Sequence, residues 1–283
     1  MNRSGALRLV PVYTLLLLAA GLTLLPLLWM VLASFKNNED FMGSVFVPRD
    51  SDGNIALGRF TLEHYRTLGG RENFLRPLIN SAFLASVTAI GATLVCAAGG
   101  YALAKYNFKG RKLCTGLVLG AMLVPGPLLL APGYQVLHTV GLLDTFYGLI
   151  LPALAPAFGV FLFRQAAMVS VPTELIEAAR IDGCGEGRTF FTIAMPLLRP
   201  MIGTFLMITF LGVWNNFISP QVVLQDSDKF PLSVAVAQLR GTYYQDYGLQ
   251  MAGTLVSIVP VFLLFLPLQR DFVSGMTSGA VKG

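Results

Sequence analysis

The chain has 283 residues, of which 54% are hydrophobic and only 12% are charged, with a formal net charge of +5. Soluble domains carry about 25% charged residues, so this composition excludes an ordinary soluble domain and indicates a protein with several membrane spans. The three cysteines, Cys96, Cys114 and Cys184, have no paired spacing and no clustered histidines. We interpret them as reduced structural residues and predict no metal site.

Six apolar segments follow one another along the chain. Their approximate bounds are 10–34, 78–103, 113–130, 147–163, 201–223 and 251–268. Each has, or nearly has, the ~20 residues that a helix needs to cross ~30 Å of hydrocarbon. Lipid offers no partner for backbone polar groups, and the alternation of a barrel strand is missing, so helix is required. The sequence predicts an all-α integral membrane protein with six transmembrane helices, the fourth bent by Pro152 and Pro156.

Lys and Arg are concentrated in a few of the connecting regions. Twelve of them lie at the termini, after the second segment and between the fourth and fifth: Arg3, Arg8, Lys105, Lys109, Arg111, Lys112, Arg164, Arg180, Arg188, Arg199, Arg270 and Lys282. The region 131–146 has none, 225–248 has two, and the six in 35–77 are balanced by six acidic residues. The positive-inside rule therefore places both termini in the cytoplasm.

This orientation divides the chain into regions. We predict a cytoplasmic N-terminus at 1–9, a first span at 10–34 and an extracytoplasmic segment at 35–77. A core domain at 78–268 contains a cytoplasmic segment at 169–199 and an extracytoplasmic loop at 225–248, and a cytoplasmic tail covers 269–283. The first span is too long for a signal peptide and lacks a cleavage site, so we expect it to be retained. His64 and His138 fall in extracytoplasmic regions and are expected to be solvated.

The chain shows no energy source of its own. None of the six segments contains Asp, Glu, Lys, Arg or His, whereas ion-coupled transporters usually need ionisable groups at membrane depth. Sodium sites built from carbonyls and hydroxyls remain an open alternative. No phosphate-binding loop occurs either, because the glycines at 53–59 lack the following Lys and Ser or Thr. Any work done by this protein is therefore expected to be driven by a partner.

The local sequence of the charged region 169–199, which we call the docking segment, predicts a helix near its start. Pro172 suits a first helical turn, and Glu174 and Glu177 near the start favour the helix dipole. Apolar side chains recur at helical spacing and share one face: Leu175, Ala178 and Ala179.

A second short helix is predicted to follow at about 186–194. Either Gly183 or Gly185 can supply the left-handed residue that ends the first helix, and Pro196 is expected to stop the second. Its apolar stripe consists of Phe190, Ile193 and Ala194. The predicted helix–turn–helix lies across the membrane face with small residues at its centre, as a docking element would. The alternative, an ordinary loop that packs on its own bundle, stays open.

The docking segment resembles the EAA loop of bacterial ABC-importer permeases, whose pattern reads E-A-A-x-x-D-G and then I-x-L-P. The matching residues are Glu177, Ala178, Ala179, Asp182, Gly183, Phe190, Ile193, Pro196 and Pro200. Met195 stands where the family has Leu, a change that conserves volume. Nearly the whole chain is similar to the maltose-type carbohydrate subfamily, and in particular to its second permease subunit. The further matches are 78–81, Ala102, Lys105, 108–110, 141–145, 151–152, 214–216 and the ending 278–283.

The resemblance implies the fold of an ABC type I importer permease, a non-catalytic transport subunit that moves a sugar or oligosaccharide by alternating access. Such a permease pairs with a second, homologous permease in the bacterial plasma or inner membrane. Two ATPase subunits lie beneath the pair, and an extracytoplasmic solute-binding protein delivers the carbohydrate. The chain itself is expected to hold no cofactor, because ATP and Mg²⁺ bind the ATPase subunits, and to bind no nucleic acid.

The resemblance also implies roles for residues. Those that couple to an ATPase subunit are Glu177, which faces a basic group there, with Ala178, Ala179, Asp182, Gly183, Ile193 and Pro196. Those at the tip of the 225–248 loop, against the binding protein, are Tyr243, Tyr244, Gln245, Asp246 and Tyr247. Those of the tail that reaches the ATPase interface are Gly279, Ala280, Val281, Lys282 and Gly283.

The fifth segment offers groups for a sugar path. Sugars need hydrogen-bonding groups and aromatic faces, and Trp214, Asn215 and Asn216 provide both. Hydrogen bonding and packing between helices is an equally open interpretation of these three residues.

Two other functions are carried as alternatives. An importer for glycerol phosphate, a polyamine or another charged solute is disfavoured by the charge-free spans, although a partner permease could supply the charge. A membrane enzyme would need clustered Asp, Glu and His near one membrane face. The candidate cluster on the cytoplasmic face belongs to the docking segment.

Overall fold

The computed structural model describes residues 3–70, 73–240 and 246–278. The helices in these ranges are α1 (Arg3–Ala33), α2 (Asn38–Gly43), α3 (Glu63–Gly69), α4 (Leu75–Lys105), α5 (Arg111–Met122), α6 (Leu130–Thr139), α7 (Phe146–Ala153), α8 (Ala157–Ser170), α9 (Thr173–Ile181), α10 (Glu186–Thr189), α11 (Met195–Leu197), α12 (Arg199–Trp214), α13 (Ile218–Val223), α14 (Leu232–Gln238) and α15 (Tyr247–Ser278). Shorter turns are 3₁₀-helical at Leu57–Arg59, Gly126–Leu129 and Ser227–Lys229, and π-helical at Phe190–Ala194. The predicted all-α class is confirmed.

Four helical stretches among the described residues are long and apolar enough to cross a membrane. They are Pro11–Ala33, Leu75–Lys105, Phe146–Ser170 and Tyr247–Leu266. Two further pairs of helices are long and apolar enough to cross a membrane only when the two members are taken together. They are Arg111–Met122 with Gly126–Thr139, bent by 100°, and Glu186–Leu197 with Arg199–Trp214, bent by 82°. The number of candidate spans reaches the predicted six when each bent pair is counted as one.

A proline interrupts the third predicted helix, at 113–130. Helix α5 ends at Met122, and Pro125 has an extended backbone with ψ of 126°. Proline also disfavours helical backbone at the residue before it. The chain then continues as α6 to Thr139, within the region 131–146 that the sequence analysis took to be a connecting loop.

Two asparagines interrupt the fifth predicted helix, at 201–223. Helix α12 ends at Trp214, and the Asn215 side chain donates a hydrogen bond of 3.0 Å to the Leu211 carbonyl. The Asn216 side chain accepts a bond of 3.2 Å from the backbone of Ser219. Such bonds from side chain to backbone compete with the helical pattern, so the helix ends here and α13 begins at Ile218.

The described residues fall into two compact units, one within Met1–Phe74 and Val236–Val259, the other within Leu75–Ala235 and Pro260–Gly283. The first unit contains a folded polar segment after α1. Lys36 is 1% exposed and donates to the carbonyls of Ser44 (2.8 Å) and Val45 (3.1 Å). Burial lowers the pKa of Lys36.

His64 belongs to the same folded segment. It is buried, and its Nε2 lies 2.8 Å from the Lys36 carbonyl. The expectation that His64 is solvated was therefore wrong, because the segment has a polar core that hydropathy does not reveal. His138, in the last turn of α6, is exposed as expected.

The second unit is built around α4, which packs against α8 and α12. Glycines allow the close approach. A Cβ on Gly100 would lie 2.6 Å from the Phe163 Cβ, and one on Gly159 would lie 2.7 Å from the Cys96 sulfur. Small residues at helix contacts are typical of membrane proteins, where close packing replaces the hydrophobic drive. Cys96 is buried here, and all three cysteines are free thiols.

Candidate functional site

The first helix of the docking segment is α9. Pro172 has an extended backbone, so it immediately precedes the helix and does not lie in its first turn. Ile176 and Ala179 are buried, whereas Leu175 and Ala178 are exposed. Of the predicted stripe of Leu175, Ala178 and Ala179, only Ala179 is buried. The helix packs through Ile176 and Ala179, and it leaves the apolar side chains of Leu175, Ala178 and Ile181 exposed.

The turn after α9 follows the glycine-capped pattern expected from the sequence. Gly183 has a φ of +79° and donates a backbone bond of 3.0 Å to the Arg180 carbonyl. Cys184 donates a bond of 2.8 Å to the Ala179 carbonyl. This pair of bonds is the Schellman motif. Of the two candidate glycines, Gly183 takes the left-handed position, and Gly185 has an ordinary φ of −69° before α10.

The second helix of the docking segment is longer and less regular than predicted. After α10 the chain passes through the π-helical turn Phe190–Ala194 into α11, which contains Pro196. Pro196 therefore does not stop the helix. It lies in the first turn of α11, where its missing N–H is tolerated. Phe190 and Ala194 are buried as expected, and Ile193 is half-buried.

The outer surface of the docking segment combines exposed apolar and acidic side chains. Ile181 is 86% exposed and Phe191 is 61% exposed. Other exposed residues of the same segment include Leu175, Glu177, Ala178, Asp182 and Gly183. A docking role predicts that these apolar and acidic side chains form one contact surface for a partner protein.

The second unit also contains a cavity of about 540 Å³. Its lining is mostly apolar, with polar side chains contributed by Ser81, Thr88, Tyr134, Asn216 and Ser219. None of the described residues that line it is charged. The cavity therefore offers hydroxyls, an amide and one aromatic ring, which are groups that suit a neutral polar solute.

The three sequence-predicted path residues are placed differently from one another. Asn216 lines the cavity, and Trp214 and Asn215 do not. Trp214 is buried and stacks on Phe210, with ring centroids 5.5 Å apart. Asn215 is exposed at the end of α12. The structure therefore brings one of the three to the cavity, together with Ser219 from the following turn.

A second cluster of polar contacts joins the start of the 225–248 loop to the segment around Asp144. One carboxylate oxygen of Asp144 accepts bonds of 3.0 Å from the backbones of Gln225 and Asp226, and the other accepts one of 2.6 Å from Lys229. The bond from Lys229, and then the two backbone bonds, lower the pKa of Asp144 to about 2. The sequence matched 141–145 to the family without indicating this role.

The same loop is also held by the start of α4. The Asn80 amide donates bonds of 2.9 and 3.1 Å to the carbonyls of Asp228 and Phe230. The Ser81 hydroxyl accepts a bond of 2.6 Å from the backbone of Leu232. Asn80 and Ser81 lie in the stretch 78–81 that resembles the family. Their partners are about 150 residues further along the chain, so no local sequence pattern predicts these hydrogen bonds.

Several residues predicted from the resemblance lie outside the described residues. These are Tyr243, Tyr244, Gln245, Gly279, Ala280, Val281, Lys282 and Gly283. Asp246 and Tyr247 are described. The Asp246 side chain accepts a bond of 2.9 Å from the backbone of Leu249 in the first turn of α15, and Tyr247 stacks on Phe41 with ring centroids 4.8 Å apart.

Known proteins resemble this chain along most of its length. It is 36% identical over 264 residues to the arabinooligosaccharides transport system permease protein AraQ of Halalkalibacterium halodurans, covering 93% of each chain. It is 32% identical over 270 residues to the lactose transport system permease protein LacG of Rhizobium radiobacter, covering 95% of each.

A solved structure shares the fold. The chain matches a bacterial ABC transporter involved in the import of the acidic polysaccharide alginate, with a TM-score of 0.79 and 22% identity, over 96% of this chain and 99% of that one. Residues 89–270 match the family described as binding-protein-dependent transport system inner membrane component. The match contains the docking segment, residues 89–105 of α4 and the cavity-lining residues other than Ser81, Leu84 and Thr88. The chain therefore belongs to the family of inner membrane components of binding-protein-dependent transport systems.

Proposed function

We propose that this chain is a permease subunit of an ATP-driven ABC importer for a neutral sugar or oligosaccharide. The observation that carries the proposal is the docking segment, a capped helix pair that displays Glu177, Ala178 and apolar side chains outward. A rigid element with a discrete contact surface is what transmission of force from a partner requires. The chain is a transport component, and ATP hydrolysis belongs to its partners.

The proposed assembly has four further subunits. A second, homologous permease forms the other half of the path, and two ATPase subunits hold ATP and Mg²⁺. A solute-binding protein docks on the outer side, where the 225–248 loop with Asp246 and Tyr247 faces it. The C-terminal residues 279–283 reach toward the ATPase interface. Both termini lie in the cytoplasm.

Two observations favour a sugar over glycerol phosphate or a polyamine. The relatives described above are permeases of arabinooligosaccharide and lactose transport systems. The described residues that line the cavity include no charged side chain, and they include Asn216, Ser219 and Tyr134. Charged solutes would need paired charges in such an apolar wall.

The test is reconstitution of the chain with a second permease, ATPase subunits and a binding protein from the same organism. The purified binding protein is first screened with neutral oligosaccharides, alginate oligosaccharides, glycerol phosphate and spermidine. We expect a neutral sugar to bind, and that sugar with its binding protein to stimulate ATP hydrolysis and uptake in proteoliposomes. Binding of only a charged solute would overturn the substrate class. ATP turnover by this chain without the ATPase would overturn the division of roles.

Orientation is tested by labelling single cysteines in whole cells. A membrane-impermeant reagent is expected to reach a cysteine at Asp228 and not one at Lys109. Both positions are exposed in the structure, so a difference in labelling reports the side of the membrane. Labelling of Lys109→Cys from outside would reverse the topology.

A further inference from the structure

One carboxylate joins the docking segment to the end of α4. Glu186, the first residue of α10, accepts a bond of 2.8 Å from Arg180 Nε with one oxygen. Its other oxygen accepts a hydrogen bond from the hydroxyl of Tyr106. Arg180 lies in the last turn of α9 and Tyr106 directly follows α4. The three side chains therefore connect both helices of the docking segment with a third element 80 residues away in sequence.

The tyrosine ring is held from several directions. The Arg180 guanidinium carbon lies 5.6 Å from its centroid, a distance typical of a cation–π contact. The Tyr101 ring meets it edge-on at 5.6 Å and also contacts Phe190 at 5.4 Å. Tyr101 is buried in the core of the second unit. The hydroxyl of Tyr106 is thus aimed at Glu186 by packing as well as by the hydrogen bond.

The charges in this cluster are stable around neutral pH. Hydrogen bonds from Arg180, and then from Tyr106, lower the pKa of Glu186. Burial, and then the bond to Glu186, raises the pKa of Tyr106. The carboxylate stays ionised and the phenol stays protonated, so the acceptor and both donors persist across physiological conditions.

The ion pair alone would be a weak connection. Arg180 and Glu186 are 45% and 50% exposed, and exposed pairs contribute little to stability. The turn they bridge contains Gly183 and Gly185, whose backbones have the greatest freedom to bend. The hydroxyl of Tyr106 adds a charge-assisted hydrogen bond to Glu186. Because the Tyr106 ring is packed, this bond fixes the Arg180–Glu186 ion pair to the end of α4.

We propose that Tyr106 is a positioning residue that, through Glu186 and Arg180, makes the docking segment and the end of α4 move as one body. This inference rests on the proposed function, because it gives the docking segment a rigid connection to the spans. Phe190 and Ile176 also pack in the same core as Tyr101 of α4. Without the Tyr106 connection, that packing would still move α4, but the glycine turn would absorb part of a push on the docking segment. ATP hydrolysis would continue, and less sugar would be moved for each ATP.

The test compares Tyr106→Phe with wild type in the reconstituted complex. Phenylalanine keeps the ring and its contacts and removes only the hydroxyl. We expect binding-protein-stimulated ATP hydrolysis to persist, while the sugar imported per ATP falls by about tenfold, the change that a lost hydrogen bond to a charged group produces. Tyr13→Phe, at a 60% exposed position on α1, is the matched control and should keep the wild-type ratio.

A double-variant comparison separates positioning from a general packing defect. In a Glu186→Ala background, Tyr106→Phe should cause no further loss, because its acceptor is already gone. Additive losses would overturn the proposed route through Glu186. A wild-type transport ratio in Tyr106→Phe would overturn the proposal itself. Absence of stimulated ATP hydrolysis in wild type would instead overturn the proposed function.

Movement as one body is measured directly with spin labels. Lys109 follows Tyr106 by three residues and Arg188 follows Glu186 by two, and both are exposed. They can be labelled in a background without the native cysteines. The distance between them should be the same with and without ATP in the wild-type complex, and should broaden in Tyr106→Phe. A wild-type distance that changes with ATP would show that the connection opens during transport and would overturn the inference.

Discussion

Gly183 is the position where a single methyl group most sharply tests the geometry of the docking segment. Its φ of +79° lies in the left-handed region, and a Cβ built there meets nothing within 4 Å. Gly183→Ala therefore adds no clash, and its effect is the backbone penalty alone, about 1–2 kcal/mol. A change of that size shifts the balance between the capped turn and its alternatives by about 5–30-fold.

Gly185 provides the matched control two residues away. A Cβ there also meets nothing within 4 Å, but the φ of −69° is normal for any residue. Gly185→Ala should therefore leave the turn intact. Gly183→Asn should fall between the two variants, because asparagine tolerates the left-handed region better than alanine does.

The assay is sugar uptake together with recovery of the ATPase subunits on the purified permease. We expect Gly183→Ala to lose most of both, with normal insertion in the membrane, and Gly185→Ala to match wild type. Hydrogen exchange at the Cys184 amide, which bonds to the Ala179 carbonyl, should rise only in Gly183→Ala. Equal behaviour of the two alanine variants would refute the role assigned to the capped turn.

Two further predictions concern charged residues. Glu177→Lys should abolish uptake and recovery of the ATPase, because like charges at a contact surface cost several kcal/mol; normal uptake with the ATPase still bound would contradict the docking role. The pKa of Asp144 is lowered from an ordinary value of 3.8 to about 2, so its bond to Lys229 should stabilise the protein fully above about pH 4 and lose that effect as pH falls toward 2. The difference in melting temperature between wild type and Asp144→Asn should close in that window, and a difference that persists at pH 2 would show that Asn fails for another reason.

The membrane helices could be predicted because their physics is local. Lipid demands runs of apolar residues that satisfy their own backbone. Each such run in the sequence is helical over most of its length, with breaks at 123–125, 154–156 and 215–217. The predicted helices end early where proline or an asparagine side chain disrupts the helical backbone hydrogen bonds. Pro125 ends one helix early, and Asn215 and Asn216 end another through their own side-chain bonds.

Burial outside the membrane was harder to predict. Hydropathy placed His64 in solvent, and it gave no sign that Lys36 is buried. Both residues are buried because carbonyl groups distant in sequence or across a turn accept their hydrogen bonds. The sequence shows which side chains can donate a hydrogen bond, but not which carbonyl groups will lie close enough to accept it.

In the docking segment, too, the sequence predicted backbone geometry better than burial. Gly183 indicated the turn correctly, since it acts through backbone geometry. The two prolines were less informative, because Pro172 precedes the first helix and Pro196 lies within the second. The sequence placed Leu175, Ala178 and Ala179 on one face of the segment's first helix but did not indicate which face packs against the core. Leu175 and Ala178 are apolar and exposed, whereas Ile176 and Ala179 are buried.

Helix α4 carries contacts of the proposed mechanism at both of its ends. Its 31 residues span about 46 Å at 1.5 Å per residue. Tyr106 connects one end to the docking segment, and Asn80 connects the other to the start of the 225–248 loop. An event at either end can therefore reach the other through one rigid element, without a chain of small adjustments.

The Asn80 contact gives this idea a quantitative test. Asn80→Ala leaves the buried Phe230 carbonyl without its donor, which costs about 1–3 kcal/mol. Arg76→Ala removes an ion pair to Asp228 whose side chains are 52% and 58% exposed, so it should cost less than about 1 kcal/mol. Both variants remove a contact with the segment around Asp228, but only Asn80→Ala removes a buried hydrogen bond. We expect Asn80→Ala to raise the binding-protein concentration needed for half-maximal ATP hydrolysis and to leave recovery of the ATPase unchanged, while Arg76→Ala stays near wild type. A larger effect from Arg76→Ala would mean that surface charge, and not the buried anchor on α4, governs the response to the binding protein.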